Sequence, residues 1–234
     1  MKLVVAATEA EAADRAADLL ARAAQAAVTR RGRFVLGLSG GRGPGLLFEA
    51  LACRPLPWEA VHLVQVDERI APDGDPARNL GLIEASFGPV LDRLGGLHPV
   101  PVDPHDPSGS AERYRRSLVA VAGDPPVLDA VHLGLGPDGH TASLVPGDPV
   151  VDVADRPVAL TGPYQGHRRI TLTRGVLDDA RLRLWFVLDE AKRPALARLL
   201  RHDAGIPAGL VRSDRSTVVT TRAVLGLGTA ATRR

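Results

Sequence analysis

Short apolar segments alternate with helical segments along the whole chain, and this alternation constrains the fold more than any other feature. The apolar runs that predict strands are residues 2–6, 34–38, 61–66, 130–133, 158–160, 169–172, 182–188 and 216–221. The segments between many of these runs place apolar residues at helical spacing. Strands that alternate with helices predict an α/β fold, with a mostly parallel, doubly wound sheet and helices on both faces.

Capping signals begin several of the predicted helices. Thr8 precedes a helix over residues 9–28, and Glu11 follows Thr8 at the spacing of a capping box. Asn79 is predicted to cap a helix over residues 80–87. The other predicted helices span residues 46–52, 110–121, 176–181 and 194–200. Because no long linker or internal repeat interrupts this pattern, residues 1–234 are predicted to form a single domain.

Composition argues against several classes of protein. With 234 residues, 45% of them hydrophobic, the chain can bury a large core, and its single cysteine excludes an intrachain disulfide. The basic residues are spread along the chain, and two Trp and two Tyr are too few for a base-stacking surface, so we expect no nucleic-acid partner. No apolar run approaches the roughly 20 residues of a membrane span, and the first run is too short for a signal peptide. We expect a cytoplasmic protein with no membrane partner, in an oligomeric state that composition leaves open and that is compatible with a monomer.

The first of three unusual loops follows the strand at 34–38, at the sheet edge where ligands bind in such folds. Its glycines allow backbone N–H groups to approach an anion, and a helix begins directly after it. An ordinary strand-to-helix turn is the alternative. The loop is not a Walker A motif, because Leu46 stands where that motif requires lysine. The residues predicted to bind phosphate here are Gly40, Gly41, Arg42 and Gly43.

The second loop begins with three consecutive charges, Asp67, Glu68 and Arg69, directly after the strand at 61–66. The guanidinium of Arg69 can hold a phosphate or a carboxylate through two hydrogen bonds. A solvated strand end with local ion pairs is the alternative for this run. The run alone leaves both interpretations open.

The third loop follows the strand at 130–133 and contains Asp138 and His140. Residues 134–139 match G-x-G-x-x-G, but Pro137 interrupts the motif and the chain has no room for the long helix that a dinucleotide site needs. An aspartate two residues from a histidine can hold the imidazole and raise its basicity, as in a general base. The alternative is a polar surface or capping histidine.

Signatures of other catalytic classes are missing from the sequence. It contains no H-E-x-x-H motif, no paired cysteines, no dense repeat of acidic residues and no G-x-S-x-G elbow. We therefore expect neither a metal ion nor another cofactor.

Together these segments resemble the 6-phosphogluconolactonase family. The most specific match is the run DAVHLGLGPDGHTASLVPG at residues 129–147. The other matching segments, in the expected order, are residues 66–69 followed by Asn79, residues 169–173 beginning with Arg169, and residues 190–192 ending with Lys192. The resemblance covers most of the chain.

The resemblance implies hydrolysis of 6-phospho-D-glucono-1,5-lactone in the pentose phosphate pathway, without a metal. His140 would activate water with Asp138 beside it, while Arg69 and Lys192 would handle the phosphate. Backbone N–H groups near residues 136–139, or a nearby arginine, would stabilise the oxyanion. By the same resemblance, the substrate-binding set also includes Asp67, Asn79 and Arg169.

Two departures and two rival functions accompany the resemblance. Arg42 and Gly43 replace the Ser-Thr usual in the family, and Arg78 stands where the family usually has serine. The closest rival is an amino-sugar-phosphate deaminase or sugar-phosphate isomerase of the same fold, although Arg69 and the Thr141 that follows His140 favour the lactonase. A non-catalytic sugar-phosphate-binding module is the second rival.

Overall fold

Residues 1–41 and 43–227 are described by a computed structural model, so the predicted phosphate ligand Arg42 and residues 228–234 lie outside the described residues. The strands are β1 (Lys2–Ala6), β2 (Phe34–Leu38), β3 (Val61–Gln65), β4 (Asp67–Arg69), β5 (Gly96–His98), β6 (Ala130–Leu133), β7 (Val158–Leu160), β8 (Arg169–Leu172), β9 (Arg183–Val187) and β10 (Ser216–Thr221). The α-helices are α1 (Glu9–Arg31), α2 (Gly45–Ala52), α3 (Asn79–Phe87), α4 (Pro107–Ala122), α5 (Arg174–Asp179), α6 (Arg193–Leu200) and α7 (Pro207–Leu210). Short 3₁₀ helices span Trp58–Ala60, Gly88–Arg93, Pro149–Asp152 and Glu190–Lys192.

The central sheet has seven strands in the order β1-β10-β9-β6-β2-β3-β5. Every neighbouring pair in this sheet is parallel. Parallel neighbours require crossover connections, and helices supply most of them. The predicted α/β fold with a doubly wound parallel sheet is confirmed.

Alternate residues of each central strand pack on opposite faces of the sheet. In β2, Phe34 and Leu36 join one hydrophobic cluster with α1, α2 and α3, while Val35 joins a second cluster with α4, α5 and α6. In β9, Leu184 faces the first cluster and Trp185 the second. Because both faces are covered, these strands are mostly apolar, which explains their hydrophobic runs in the sequence.

A second, smaller sheet was not predicted from the sequence. Strands β4, β8 and β7 form it in that order, and both of its strand pairs are antiparallel. The chain changes sheets at Val66, whose N–H donates to Leu38 O of β2 while its carbonyl accepts from the Leu172 N–H of β8. The predicted strand at 61–66 therefore ends at Gln65, since the bonds of Val66 are shared between the two sheets.

Helix ends differ from the predicted ones by a few residues. Helix α1 continues past residue 28 to Arg31, where Gly32 ends it in the left-handed region with φ of 73°. Helix α5 spans Arg174–Asp179 rather than residues 176–181, because the Arg181 N–H donates to Leu128 O beside β6. Among the residues that the structure describes, no helix is both long enough and apolar enough to cross a membrane.

Candidate active site

The predicted site residues that the structure describes meet in one cleft at the carboxyl ends of the strands. The cleft has a volume of about 860 Å³ and receives loops from both sheets. The predicted residues that line it are Gly40, Gly41, Gly43, Asp67, Arg69, Asn79, His140, Arg169 and Lys192. Asp138 does not line the cleft, but its carboxylate contacts the His140 ring. The topology thus brings together segments that are far apart in the chain.

Asp138 and His140 form a close pair at the end of β6. His140 Nδ1 lies 2.6 Å from Asp138 Oδ1, and the His140 backbone N–H donates to the same oxygen at 3.2 Å. The other carboxylate oxygen, Oδ2, accepts a hydrogen bond from the Tyr164 hydroxyl at 3.0 Å. Since Asp138 occupies Nδ1, the nitrogen of His140 that is left for proton transfer is Nε2.

Two effects act on the carboxyl pKa of Asp138. Partial burial raises it, but the charge of His140 and the hydrogen bonds from His140 and Tyr164 together outweigh burial. The pKa of Asp138 therefore lies below its ordinary value. An ionised Asp138 stabilises the protonated form of His140, as a general base requires.

The loop that carries this pair has little space for side chains at two of its glycines. A β-carbon at Gly136 would lie 2.1 Å from His140 Nδ1, and one at Gly139 would lie 2.5 Å from Ile206. Gly139 also has φ of 87°, which other residues rarely adopt, and its carbonyl accepts from the Ala208 N–H. The segment before α7 and α7 itself thus hold the loop after β6 in place.

Several N–H groups of the same loop donate hydrogen bonds to acceptors within the loop. Gly136 N–H donates to His140 O at 2.8 Å, and Gly139 N–H donates to Gly136 O at 3.0 Å. The His140 N–H is also occupied, by Asp138, and Pro137 has none. Three N–H groups of this loop are therefore already used in hydrogen bonds.

Glu68 connects β4 with the start of α3. Its carboxylate is completely buried and accepts from the backbone N–H groups of Asn79 at 2.7 Å and Leu80 at 2.9 Å. It also accepts from Gln65 Nε2 at 2.8 Å and pairs with the Arg78 guanidinium at 3.2 Å. Glu68 therefore satisfies the free N–H groups at the start of α3, although it lies outside that helix.

This arrangement corrects the predicted cap at Asn79. Helix α3 begins at Asn79 itself, and its N-cap residue, Arg78, makes no capping bond through its side chain. The Asn79 side chain instead donates to Asp67 O at 2.9 Å and accepts from Arg69 Nη1 at 2.6 Å. The prediction was wrong because the distant carboxylate of Glu68 takes over the capping role.

Arg69 and Arg169 form a pair of neighbouring cations at the rim of the second sheet. They are opposite each other in the register of β4 and β8. Arg69 Nη1 is held by Ala77 O and Asn79 Oδ1, but the Nε atoms of both arginines are buried without a hydrogen-bond partner among the described residues. Burial and the charge of Arg69 lower the pKa of Arg169. Two adjacent guanidinium groups with unused donors are suited to bind an anion.

Asp67 lies beside this pair and is nearly inaccessible. Its Oδ2 accepts from the Ser143 hydroxyl at 2.7 Å. Burial raises the carboxyl pKa of Asp67, while Ser143, Arg69 and Arg169 oppose the rise. This carboxyl places a hydrogen-bonding group in the cleft, next to the cations.

The first loop is packed against the second. A β-carbon at Gly40 would lie 1.9 Å from Asn79 Oδ1, so only glycine allows this close approach. Gly41 has φ of 117°, and α2 begins at Gly45. The backbone of this loop therefore reaches the cleft as predicted, while the side chain of Arg42 lies outside the described residues.

Lys192 enters the cleft from the end of β9. It closes the 3₁₀ helix Glu190–Lys192, which Asp189 caps by accepting from the Ala191 N–H at 2.9 Å. Its charge acts on His132, a fully buried side chain of β6 that also lines the cleft. Burial, with Lys192, lowers the pKa of His132 to about 3, so His132 is uncharged at neutral pH.

Three residues of the site were missed by sequence reasoning: Tyr164, Glu68 and Ser143. Tyr164 begins a tight hairpin turn between β7 and β8, in which Gln165 and Gly166 have φ of 49° and 83°. Gly166 is a turn signal in the sequence, since glycine adopts a positive φ without steric cost. No sequence signal, however, indicates that this turn reaches His140.

A family model described as "Glucosamine-6-phosphate isomerases/6-phosphogluconolactonase" matches residues 7–220. A 6-phosphogluconolactonase from Nostoc sp. is 35% identical over 195 residues, which cover 81% of this chain and 81% of that protein. A 6-phosphogluconolactonase from Rattus norvegicus is 34% identical over 208 residues, covering 82% of this chain and 78% of that protein.

Solved structures agree with this match at the level of the fold. A 6-phosphogluconolactonase from Thermotoga maritima superposes with a TM-score of 0.80 at 25% identity, covering 94% of this chain and 98% of that one. A monomeric glucosamine-6-phosphate deaminase also superposes with a TM-score of 0.80, at 18% identity, covering 97% and 100%. The fold is thus shared by proteins with both names, and this chain belongs to the glucosamine-6-phosphate isomerase/6-phosphogluconolactonase family.

Proposed function

We propose that this chain hydrolyses 6-phospho-D-glucono-1,5-lactone to 6-phosphogluconate. The observation that carries the proposal is the 2.6 Å contact between His140 Nδ1 and Asp138, in a cleft that Arg69, Arg169 and Lys192 also line. A histidine base beside several cations is the arrangement that a phosphorylated ester needs. Relatives named 6-phosphogluconolactonase at 34% and 35% identity support it.

The proposed reaction uses His140 twice. Its Nε2 removes a proton from a water molecule while the water oxygen forms a bond to C1 of the lactone. When the bond between C1 and the ring oxygen breaks, His140 returns that proton to the departing oxygen, and the new carboxylic acid ionises. General-base catalysis contributes about 10²–10⁴-fold, and positioning supplies the rest.

The cations are proposed to divide between the phosphate and the developing oxyanion. Lys192 and the backbone of residues 40–43, with Arg42, would hold the phosphate together with the arginine pair of β4 and β8. The arginine nearer to C1 would also stabilise the oxyanion, since the N–H groups of Gly136, Gly139 and His140 are occupied. Asn79 and Asp67 orient this group of cations.

A coupled assay with 6-phosphogluconate dehydrogenase, corrected for spontaneous opening of the lactone, tests the proposal. We expect His140→Ala to lower kcat by about 10²–10⁴-fold while 6-phosphogluconate still binds. We expect Lys192→Ala to raise KM by about tenfold or more with a smaller effect on kcat. The exposed His105→Ala is the matched control. Wild-type protein without activity above the spontaneous rate would contradict the proposal.

A substrate panel separates this function from the rival within the family. Release of ammonia from glucosamine 6-phosphate without lactone turnover would support a deaminase, and binding of 6-phosphogluconate without turnover would support a binding module. A cytoplasmic location, a monomer and the absence of a nucleic-acid partner also remain predictions. Cell fractionation, gel filtration and a nucleic-acid binding assay test them.

A further inference from the structure

Tyr164 contacts both functional groups of the cleft. It lies at the start of the hairpin turn between β7 and β8, so its side chain comes from the second sheet. Its hydroxyl donates to Asp138 Oδ2 at 3.0 Å and lies 3.4 Å from His140 Nδ1. The face of its ring lies under the guanidinium of Arg169, with 5.0 Å between Cζ and the ring centroid. One side chain therefore bridges the proposed base and a proposed phosphate ligand.

We propose that Tyr164 is a positioning residue that holds the Asp138–His140 pair and Arg169 in one arrangement. This inference rests on the proposed lactone hydrolysis. It assigns no proton transfer to Tyr164, and the reacting atoms contact His140 rather than the phenol.

The hydroxyl of Tyr164 fixes the rotation of the Asp138 carboxylate. One oxygen of that carboxylate receives the two bonds from His140, and the other receives the bond from Tyr164. Burial and the hydrogen bond to Asp138 raise the pKa of the Tyr164 phenol, so the hydroxyl is protonated at neutral pH. Because it donates to Asp138, it also reduces the negative charge that His140 experiences.

The ring of Tyr164 orients two neighbours at once. It meets the His140 ring nearly edge-on, with centroids 5.4 Å apart and an interplanar angle of 69°. On its face it carries the Arg169 guanidinium, whose only hydrogen bond among the described residues is a long one of 3.5 Å to Tyr164 O. Arg169 is thus held mainly by this ring and by the backbone of the same turn.

The charged groups around this cluster come from four parts of the chain. Asp138 belongs to the loop after β6, and Arg169 belongs to β8. Behind Arg169 lie Asp67 and Arg69 of β4, and Lys192 also lines the cleft. Among the titratable groups that the structure describes, Asp138 and His140 share hydrogen bonds with the Tyr164 hydroxyl, so a change confined to that hydroxyl acts on this pair.

Tyr164→Phe removes the hydroxyl and keeps the ring. Without its hydrogen bond, Asp138 attracts the proton on His140 more strongly, so we expect the acidic limb of the kcat/KM profile to move to higher pH by about 0.5–1 unit. We expect kcat at the plateau to fall about 3- to 10-fold, since only part of the general-base contribution is lost. The KM should stay within about twofold, because the ring still supports Arg169.

Tyr164→Leu removes the ring as well. Besides the effects of Tyr164→Phe, we expect this variant to raise KM about fivefold, because Arg169 loses its cation–π contact with the ring. Tyr114→Phe is the matched control, because it removes the other tyrosine hydroxyl of the chain, which donates to Gln65 O in the core. It should leave the acidic limb where it is in the wild type. A purely structural role of Tyr164 would lower thermal stability in both Tyr164 variants without moving that limb.

A titration of the His140 imidazole by NMR measures the same shift without substrate. An unchanged imidazole pKa in Tyr164→Phe, together with a wild-type acidic limb and kcat, would overturn the inference. If the wild type hydrolyses no lactone, the proposed function fails, while the NMR titration still decides the role of Tyr164. A shift of the imidazole pKa in that variant and none in Tyr114→Phe would support it.

Discussion

Asp138 contacts His140 Nδ1 through its carboxylate, which is ionised at neutral pH because its pKa is lowered. Its pKa is lowered, so the pair stabilises the folded protein above about pH 4, and this contribution is lost as the pH falls through the lowered pKa. The side chain of Asp138 is 36% exposed, so solvent screens the contribution to stability. The main consequence of the pair is therefore on activity.

A single ionisation should govern the acidic limb of kcat/KM for the lactone, since Asp138 stays charged while His140 takes up a proton. We expect Asp138→Asn to move that limb to lower pH, because the imidazolium loses its partner, and to lower kcat by about 10²-fold. Pre-steady-state and steady-state pH profiles measure both effects. Asp155→Asn, which removes an exposed carboxylate paired with Arg156, is the control. If the acidic limb of Asp138→Asn stays where it is in the wild type, the Asp138 carboxylate does not influence the protonation of His140.

At the scale of elements, the junction of β4 and α3 depends on Glu68. Its two oxygens serve the backbone N–H groups of Arg69, Asn79 and Leu80, and the side chains of Gln65 and Arg78. A buried carboxylate with this many donors holds the two elements at a fixed separation. Arg69 and Asn79 then project from the two ends of this junction into the cleft.

We expect Glu68→Gln to lower the free energy of unfolding by about 2–4 kcal/mol, because an amide NH₂ would face donors that now meet a carboxylate oxygen. We also expect a higher KM, since Arg69 and Asn79 lose their common support. Chemical denaturation and steady-state kinetics measure these changes. Glu84→Gln removes the same charge from the exposed face of α3 and should be nearly neutral. Equal stability of the two variants would contradict this role of Glu68.

At the scale of the whole molecule, the catalytic loop after β6 is held by a segment from near the end of the chain. Ala208 N–H donates to Gly139 O, and Ile206 occupies the space where a side chain at 139 would lie. In the central sheet β6 lies between β9 and β2, and the cleft at its end also receives Arg69 of β4 and Arg169 of β8 from the second sheet. The cleft therefore depends on contacts between distant parts of the chain.

Gly139→Ala tests that dependence. The positive φ and the clash with Ile206 together should cost about 2–4 kcal/mol of stability, and displacement of the neighbouring Asp138–His140 pair should lower kcat by about tenfold or more. Gly175→Ala in α5 is the control, because a β-carbon there meets nothing within 4 Å and a helix favours alanine. Thermal unfolding and the lactone assay give the comparison. If Gly139→Ala is as active as Gly175→Ala, the packing of residue 139 against Ile206 is not required for activity.

The positions of several elements and one functional pair could be predicted because they depend on near neighbours. Apolar runs that alternate with helical segments predicted the parallel sheet with two covered faces. Asp138 and His140 are two residues apart, so their side chains can meet within one loop. Asn79 shows the limit of such reasoning, because its residue type indicates a cap but Glu68 performs that role. The family resemblance implied that Arg69 and Arg169 both bind the substrate. It did not predict that the two residues lie opposite each other in neighbouring strands.

Most strands and helices, their apolar faces and the short-range pairing of Asp138 with His140 follow from the amino-acid sequence. The change of sheets at Val66, the capping of α3 by Glu68 and the contact of Tyr164 with Asp138 exist only in the folded chain. The two groups differ in the range of the interactions that produce them. Local backbone geometry fixes contacts within a few residues, whereas contacts between distant segments form only when the chain folds and the loop-closure entropy is overcome.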